Sequence, residues 1–249
     1  MLENLKIEDV LFLDIETVPE KATYDELSDD FKHLWKLKSK FILKKYDEEV
    51  TEEEAIACYD RAGIYAEFGK IIAISVGFVI RDPETQKMGI RLKSFANRDE
   101  SVLLHEFVGL VNKHYINPNK HYFCGHNIRE FDIPYICRRL LINQIKLPKL
   151  LDISGKKPWE TKYFLDTLEM WKFGDYKNYT SLKLLAAVFG FPSPKDDIDG
   201  SDVGRVFWED DDLERIATYC EKDVLATVQL FLKYLRQPII EEDQIVHVS

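Results

Sequence analysis

The sequence predicts a mixed α/β fold: a five-stranded sheet, three strands antiparallel and the rest parallel, flanked by helices. Three observations predict it. VLFLDI (10–15) is a nearly unbroken apolar run, the pattern of a strand covered on both faces. Two more such runs, KIIAISVGFVI (70–80) and GIRLKSFA (89–96), are joined by RDPETQKMG, whose Asp82 and Pro83 mark a turn, so these strands pair antiparallel. Beyond them, helical and strand patterns alternate, as expected of a sheet with helices packed on it.

The later elements follow in order. SVLLHEFVGLVNKHY (101–115) sets Leu103, Leu104, Phe107, Val108 and Val111 on one helical face, and HYFCG (121–125) is the fourth strand. Ile133, Ile136, Cys137, Leu140 and Leu141 recur at i, i+3, i+4, i+7 and i+8, giving an amphipathic helix with Pro134 in its first turn. KYFLDT (162–167) is a short fifth strand, and SLKLLAAVFG (181–190) is a helix closed by Gly190. The last helix, DLERIATYCEKDVLATVQLFLKYLR (212–236), buries Leu213, Ile216, Ala217, Cys220, Val224, Val228, Phe231 and Leu235 and stops before Pro238.

We read residues 1–249 as one domain, with a charged, helix-prone insertion at about 20–62 and a short tail at about 239–249. Within the insertion, six lysines (Lys32, Lys36, Lys38, Lys40, Lys44 and Lys45) stand among Trp35, Phe41 and Tyr46 with no acid between Phe31 and Tyr46. Such a segment can line a phosphate backbone and stack bases, or be a solvated helix face with a few rings in the core. The acidic stretch from Lys195 to Asp212 reads as a solvated loop.

Charged residues at 31% and hydrophobic ones at 45% are the balance of a globular protein. No basic leader or long apolar run is present, so neither secretion nor membrane insertion is expected. The four cysteines (Cys58, Cys124, Cys137 and Cys220) form no CxxC pair, which suggests a reducing, cytoplasmic setting without disulfides or a zinc cluster. A net charge of −10 points away from a protein that coats nucleic acid by general attraction. Action on a phosphodiester remains open if metal ions neutralise the charge locally.

Three groups of residues carry the chemistry. Asp14 and Glu16 are two apart in a strand, so they share one face while Leu13 and Ile15 take the other. Chance placement gives roughly eight acid pairs at this spacing in such a chain, but the apolar setting sets this pair apart. Two buried carboxylates this close repel unless a cation joins them, and a divalent metal is the economical answer. In CGHNIREFDIPYI (124–136) a strand runs into a helix, so Asp132 stands at the carboxyl end of a strand, where open α/β sheets place ligands. It equally suits an N-cap before Pro134. In TYCEKDV (218–224), Tyr219 and Asp223 lie one turn apart at the margin of the apolar stripe.

DxE on a strand, NxxxFD after a later strand and YxxxD on the final helix, in that order, resemble the DEDD superfamily of 3′–5′ exonucleases with the RNase H-like fold, in its tyrosine subgroup. LDIETVP, GHNIREFDIPYI, SLKLLA, PSPKDDIDGSDV and YCEKDV look more closely like the predicted stand-alone exonucleases related to the proofreading domain of family-B DNA polymerases. The resemblance spans roughly 10–235 and implies two Mg²⁺ or Mn²⁺ ions about 3.5–4 Å apart. Asp14 would bridge them, Glu16 and Asp223 would hold the first, and Asp132 would anchor the second directly or through water. Tyr219 would orient the attacking water, since an unshifted phenol stays protonated at neutral pH. Asn127 and Phe131 match positions near the scissile end, and Ile15 and Thr17 would contact the terminal nucleotide. Single-stranded 3′ ends are the implied substrate, DNA or RNA. Competing readings are a noncatalytic nucleic-acid-binding module, a hydrolase of another kind working with paired carboxylates, and an endonuclease.

Overall fold

The structure, a computed structural model, describes residues 5–175, 179–192 and 198–248. Its strands are β1 (Val10–Pro19), β2 (Gly69–Arg81), β3 (Met88–Ala96), β4 (Tyr122–Gly125), β5 (Phe164–Asp166) and β6 (Ile245–His247). Its α-helices are α1 (Asp29–Ile42), α2 (Glu52–Ala57), α3 (Glu100–His114), α4 (Asp132–Ile142), α5 (Thr167–Lys172), α6 (Leu182–Phe189), α7 (Val203–Trp208) and α8 (Leu213–Tyr234). The strands form one mixed sheet in the order β5-β4-β1-β2-β3-β6. β1, β2 and β3 pair antiparallel, while β4 joins β1, and β5 joins β4, in parallel.

β1 therefore lies in the interior of the sheet, and its alternating side chains feed two different cores. Leu11, Leu13 and Ile15 pack with Leu103, Leu104 and Phe107 of α3 and with Ile133, Ile136 and Leu140 of α4. Val10 and Phe12 face the other way, onto Val224, Val228 and Phe231 of α8. The Phe12 and Phe231 rings meet edge to face at 5.4 Å. Each such fully buried side chain contributes about 1.5–3 kcal/mol, so the two helical layers hold β1 firmly on both sides. Helix ends are chemically marked: Asp212 caps α8 by accepting from the Arg215 N–H, and Gly190 closes α6 with φ 67°.

The strand count departs from expectation. The tail adds a sixth strand, β6, parallel to β3 with Ile245 opposite Ile90. Its approach is fixed by Gln229 of α8, whose side-chain amide donates to the Ile240 carbonyl at 2.7 Å and accepts from its N–H at 2.9 Å. The stretch expected as a solvated loop also contains α7, with Val203, Val206 and Phe207 buried against the edge of the sheet core. Lys195, Asp196 and Asp197 of that stretch lie outside the described residues.

The insertion builds a small core of its own. Trp35 is fully buried among Tyr24, Ala55, Cys58, Tyr59 and Phe68, and its indole N–H donates to the Ala55 carbonyl at 2.9 Å. Several lysines turn inward to the insertion: Lys38 lies 4.1 Å from the Tyr65 ring centre, and Lys45 pairs with Glu54. Trp35 thus parts company with Phe41 and Tyr46, which are exposed. A buried ion pair joins the insertion side to the sheet. Arg139 of α4 donates to Glu100 of α3 and to Glu20 and the Ala66 carbonyl, while Glu100 also accepts from the Ile71 N–H at 2.7 Å. No helix among the described residues is long and apolar enough to cross a membrane.

Candidate metal centre

Strand periodicity puts the Asp14 and Glu16 side chains on the α8 face of β1. Asp14 stands opposite Ser75 of β2 and Glu16 opposite Ala73; the register then slips, and Thr17 pairs with Ile71. Such an irregularity alters the local twist and re-aims side chains. Glu16 is only 8% exposed and Asp14 is half-buried. α8 crosses above them, and Cys220 comes close enough for its thiol to donate to the Asp14 carbonyl at 3.4 Å. Asp14, Glu16 and Cys220 each present a ligand atom within 4.8 Å of the others.

Two further acids enter the same electrostatic field. Asp223, one turn beyond Tyr219 on α8, and Asp132, at the start of α4, each raise the pKa values of Asp14 and Glu16. Burial is the larger cause at both groups and pushes each carboxyl well above its usual range. Asp132 is 3% exposed, and its carboxyl is pushed up to about 7, first by burial and further by Asp166, against the hydrogen bonds from its own backbone and that of Ile15. Asp132 is the first residue of α4, and the N-cap position belongs to Phe131, so the capping alternative does not hold. The Tyr219 phenol is pushed up by burial, then by Asp223, Glu16 and Asp14, and it is hydrogen-bonded to Asp223. It is a proton donor across the physiological range.

The donor set suits a hard divalent cation. Asp14, Glu16 and Asp132 are buried or half-buried carboxylates that form no ion pair among the described residues, and burial with their mutual repulsion disfavours their charged forms. A bound cation of charge +2 removes that penalty, and carboxylate oxygens are the ligands Mg²⁺ and Mn²⁺ take.

Ile15, Thr17 and Phe131 line one groove of about 660 Å³ that opens from Glu16. Thr17 is hydrogen-bonded to Tyr135, whose hydroxyl donates to the Gly63 carbonyl at 2.8 Å, tying the end of β1 to the end of the insertion. Asn127 is not among the groove residues. Its backbone is left-handed, φ 69°, and its N–H donates to Asp166 at 3.0 Å.

Three participants were not anticipated. Cys220 was read only as core. Asp166, at the carboxyl end of β5, accepts from the backbone N–H groups of Asn127, Arg129, Leu168 and Glu169 and so clamps the β4–α4 loop to the start of α5. The sequence signal for it, a carboxylate where a strand meets a helix, is the one that singled out Asp132. Tyr179 feels the charges of Asp14, Asp132, Asp166 and Asp223, and its ring lies 6.1 Å from that of His126. His126 is held by the Thr180 carbonyl and the Thr167 hydroxyl, and burial lowers its pKa.

Comparison with known proteins places this geometry in context. Residues 64–244 match the family model described as a predicted 3′–5′ exonuclease related to the exonuclease domain of PolB. Asp132, Tyr219 and Asp223 lie inside that segment, and Asp14 and Glu16 precede it. Among solved structures, the family B DNA polymerase from the hyperthermophilic archaeon Pyrobaculum calidifontis is similar, with a TM-score of 0.50 and 16% identity, over 91% of this chain and 24% of that one. At that identity the likeness is one of fold, and the chain spans about a quarter of the polymerase's length. No curated protein matches the sequence.

Proposed function

The chain belongs to the family of predicted 3′–5′ exonucleases related to the exonuclease domain of PolB, and from that premise we propose that it removes nucleotides from single-stranded 3′ ends by metal-dependent phosphodiester hydrolysis. One observation carries the reading: four carboxylates from three separate elements, Asp14 and Glu16 on β1, Asp132 on α4 and Asp223 on α8, share one buried electrostatic field. Folding brings like charges together at a cost, and a function for cations there accounts for it.

Asp14, Glu16, Asp132 and Asp223 are the residues that would hold two Mg²⁺ or Mn²⁺ ions. Bound there, such ions supply Lewis-acid stabilisation of the phosphoryl oxygens and acidify a water. The chain's own residues do the rest. Tyr219, kept protonated with its one O–H donated to Asp223, would accept a hydrogen bond from a water and so orient it rather than remove its proton. Asp223 accepts from the phenol and fixes its direction. Ile15, Thr17 and Phe131 border the space beside Glu16, where a terminal base finds an apolar surface and a ring.

Incubation of 3′-labelled and 5′-labelled single-stranded oligonucleotides with Mg²⁺ or Mn²⁺ tests the proposal. Stepwise shortening from the 3′ end is expected, abolished by EDTA and by Asp223→Ala. Cleavage of a circular single strand, which has no end, would refute the exonuclease reading, and activity persisting in EDTA would refute the metal. Parallel DNA and RNA substrates identify the preferred sugar.

A further inference from the structure

The groove that Glu16 lines has an outer wall that the matched family segment supplies only in part. Ala22, Thr23, Tyr24, Ile56 and Arg61 border it from the insertion, and α7 closes the far side with Arg205 and Trp208. The family match begins at residue 64, beyond these insertion residues. None of the lysines of α1 reaches the groove, so the cationic helix singled out in the sequence is not what lines it.

The wall is chemically divided. Its two cations are Arg61 and Arg205. Arg205 is already engaged, pairing with Asp210 at 2.7 Å and with Asp202 at 3.8 Å. Arg61 is exposed and forms no ion pair among the described residues. Beside it, Ile56 is 46% exposed, leaving an apolar side chain at the groove's edge. Asp60 and Glu209 also line the groove, so it is not a general basic patch and suits one defined anion at one place. An exposed guanidinium sharing one groove with apolar surface and with Glu16 is the chemistry of a nucleotide backbone: phosphate on the cation, base on the apolar side chain.

We infer that Arg61 grips a backbone phosphate upstream of the nucleotide at the carboxylates, making the insertion a strand-holding wall; this rests on the exonuclease reading of the centre. The insertion's small core, built on Trp35, then serves to hold Arg61 and Ile56 in place.

The test uses the full chain and fluorescence anisotropy of a 5′-labelled oligothymidylate 12-mer, with Ca²⁺ in place of the activating metal, for wild type, Arg61→Ala and Arg61→Lys. Loss of a charged hydrogen bond to phosphate weakens binding about tenfold to a hundredfold in Arg61→Ala. The slope of log affinity against log salt falls by about 0.7, one single-strand phosphate contact. Arg61→Lys, which keeps the charge, recovers part of the affinity. With Mn²⁺, the ratio of oligonucleotide cleavage to hydrolysis of the p-nitrophenyl ester of thymidine 5′-monophosphate falls by a similar factor, because the ester has no strand behind it. Unchanged affinity and salt slope in Arg61→Ala would overturn the inference, as would equal losses on both substrates. Failure of the exonuclease reading looks different: wild type then cleaves neither substrate, while anisotropy still reports on the groove.

Discussion

Replacing Asp132 by Asn separates the cost of the metal-free centre from its use. The Asp132 carboxyl is pushed from its usual 3.8 up to about 7, chiefly by burial. Between those pH values the folded protein keeps a proton that the unfolded chain has released. The unfolded state therefore binds fewer protons, and stability falls as pH rises through this window. The full gap corresponds to about 4 kcal/mol, a ceiling because the neighbouring acids titrate with it. Asn keeps an acceptor oxygen for the backbone of Ile15 while removing the charge. In EDTA at pH 8, Asp132→Asn should melt higher than wild type by up to about 8–16 °C, at about 2–4 °C per kcal/mol for a chain of this size. At pH 4, where both side chains are neutral, the advantage should vanish. Mn²⁺ should stabilise wild type strongly at pH 8 and the variant less, since a ligand for the folded state is lost. Differential scanning fluorimetry across pH, with and without Mn²⁺, reads all of this. Equal melting of the two proteins at pH 8, or an advantage as large at pH 4, would refute the account of a strained acidic centre.

Other consequences follow from the same coordinates. Tyr219→Phe keeps the ring and loses the hydroxyl bonded to Asp223, so kcat should fall about 10²-fold with little change in KM, measured by single-turnover and steady-state cleavage. Because the phenol is pushed up rather than down, wild type should show no Tyr219 ionisation limb below about pH 10 in its rate profile. Arg139→Met leaves Glu100 buried without its cation and should cost about 3–5 kcal/mol in urea unfolding, whereas the double variant Arg139→Met with Glu100→Gln should recover part of it. Burial and the charges of Asp14 and Glu16 push the Cys220 thiol well up, so iodoacetamide at pH 7.5 should leave it unmodified in the native protein and label it in urea, as read by peptide mass mapping.

How much of this was legible in the sequence depended on whether the relevant signal was periodic. Asp14 and Glu16 could be placed on one face because a strand repeats every two residues, and Tyr219 and Asp223 because a helix brings i and i+4 together. The antiparallel pairing of β2 and β3 was legible from two apolar runs and a turn. β6 was not, since three residues have no period and its position is set by the Gln229 side chain reaching Ile240 from another element. α7 was hidden because two turns of helix sit inside an acidic stretch whose composition suggested solvent. Cys220 looked like any apolar residue on the inner stripe of α8, and only the crossing of α8 over β1 turns its sulfur toward Asp14. Asn127 shows the converse: its side chain drew attention in the sequence, and the fold adds a use for its backbone N–H and left-handed conformation that no periodicity signals.

The placement of the acids on rigid elements bears on how a chain of net charge −10 would act on a polyanion. β1 is held on both faces by packed cores, α4 is fixed by the buried Arg139–Glu100 pair, and α8 is fastened along its length to β1 and β2. The carboxylates therefore cannot relieve their repulsion by moving apart, and the remaining ways to relieve it are protonation or cation binding. Divalent ions held there would neutralise the carboxylates and turn the local charge from repelling phosphate to attracting it. The attraction would thereby be confined to the one place where hydrolysis would occur. A strand then needs only a sparse additional grip, and a single unengaged guanidinium on the groove wall is in keeping with that economy of contacts.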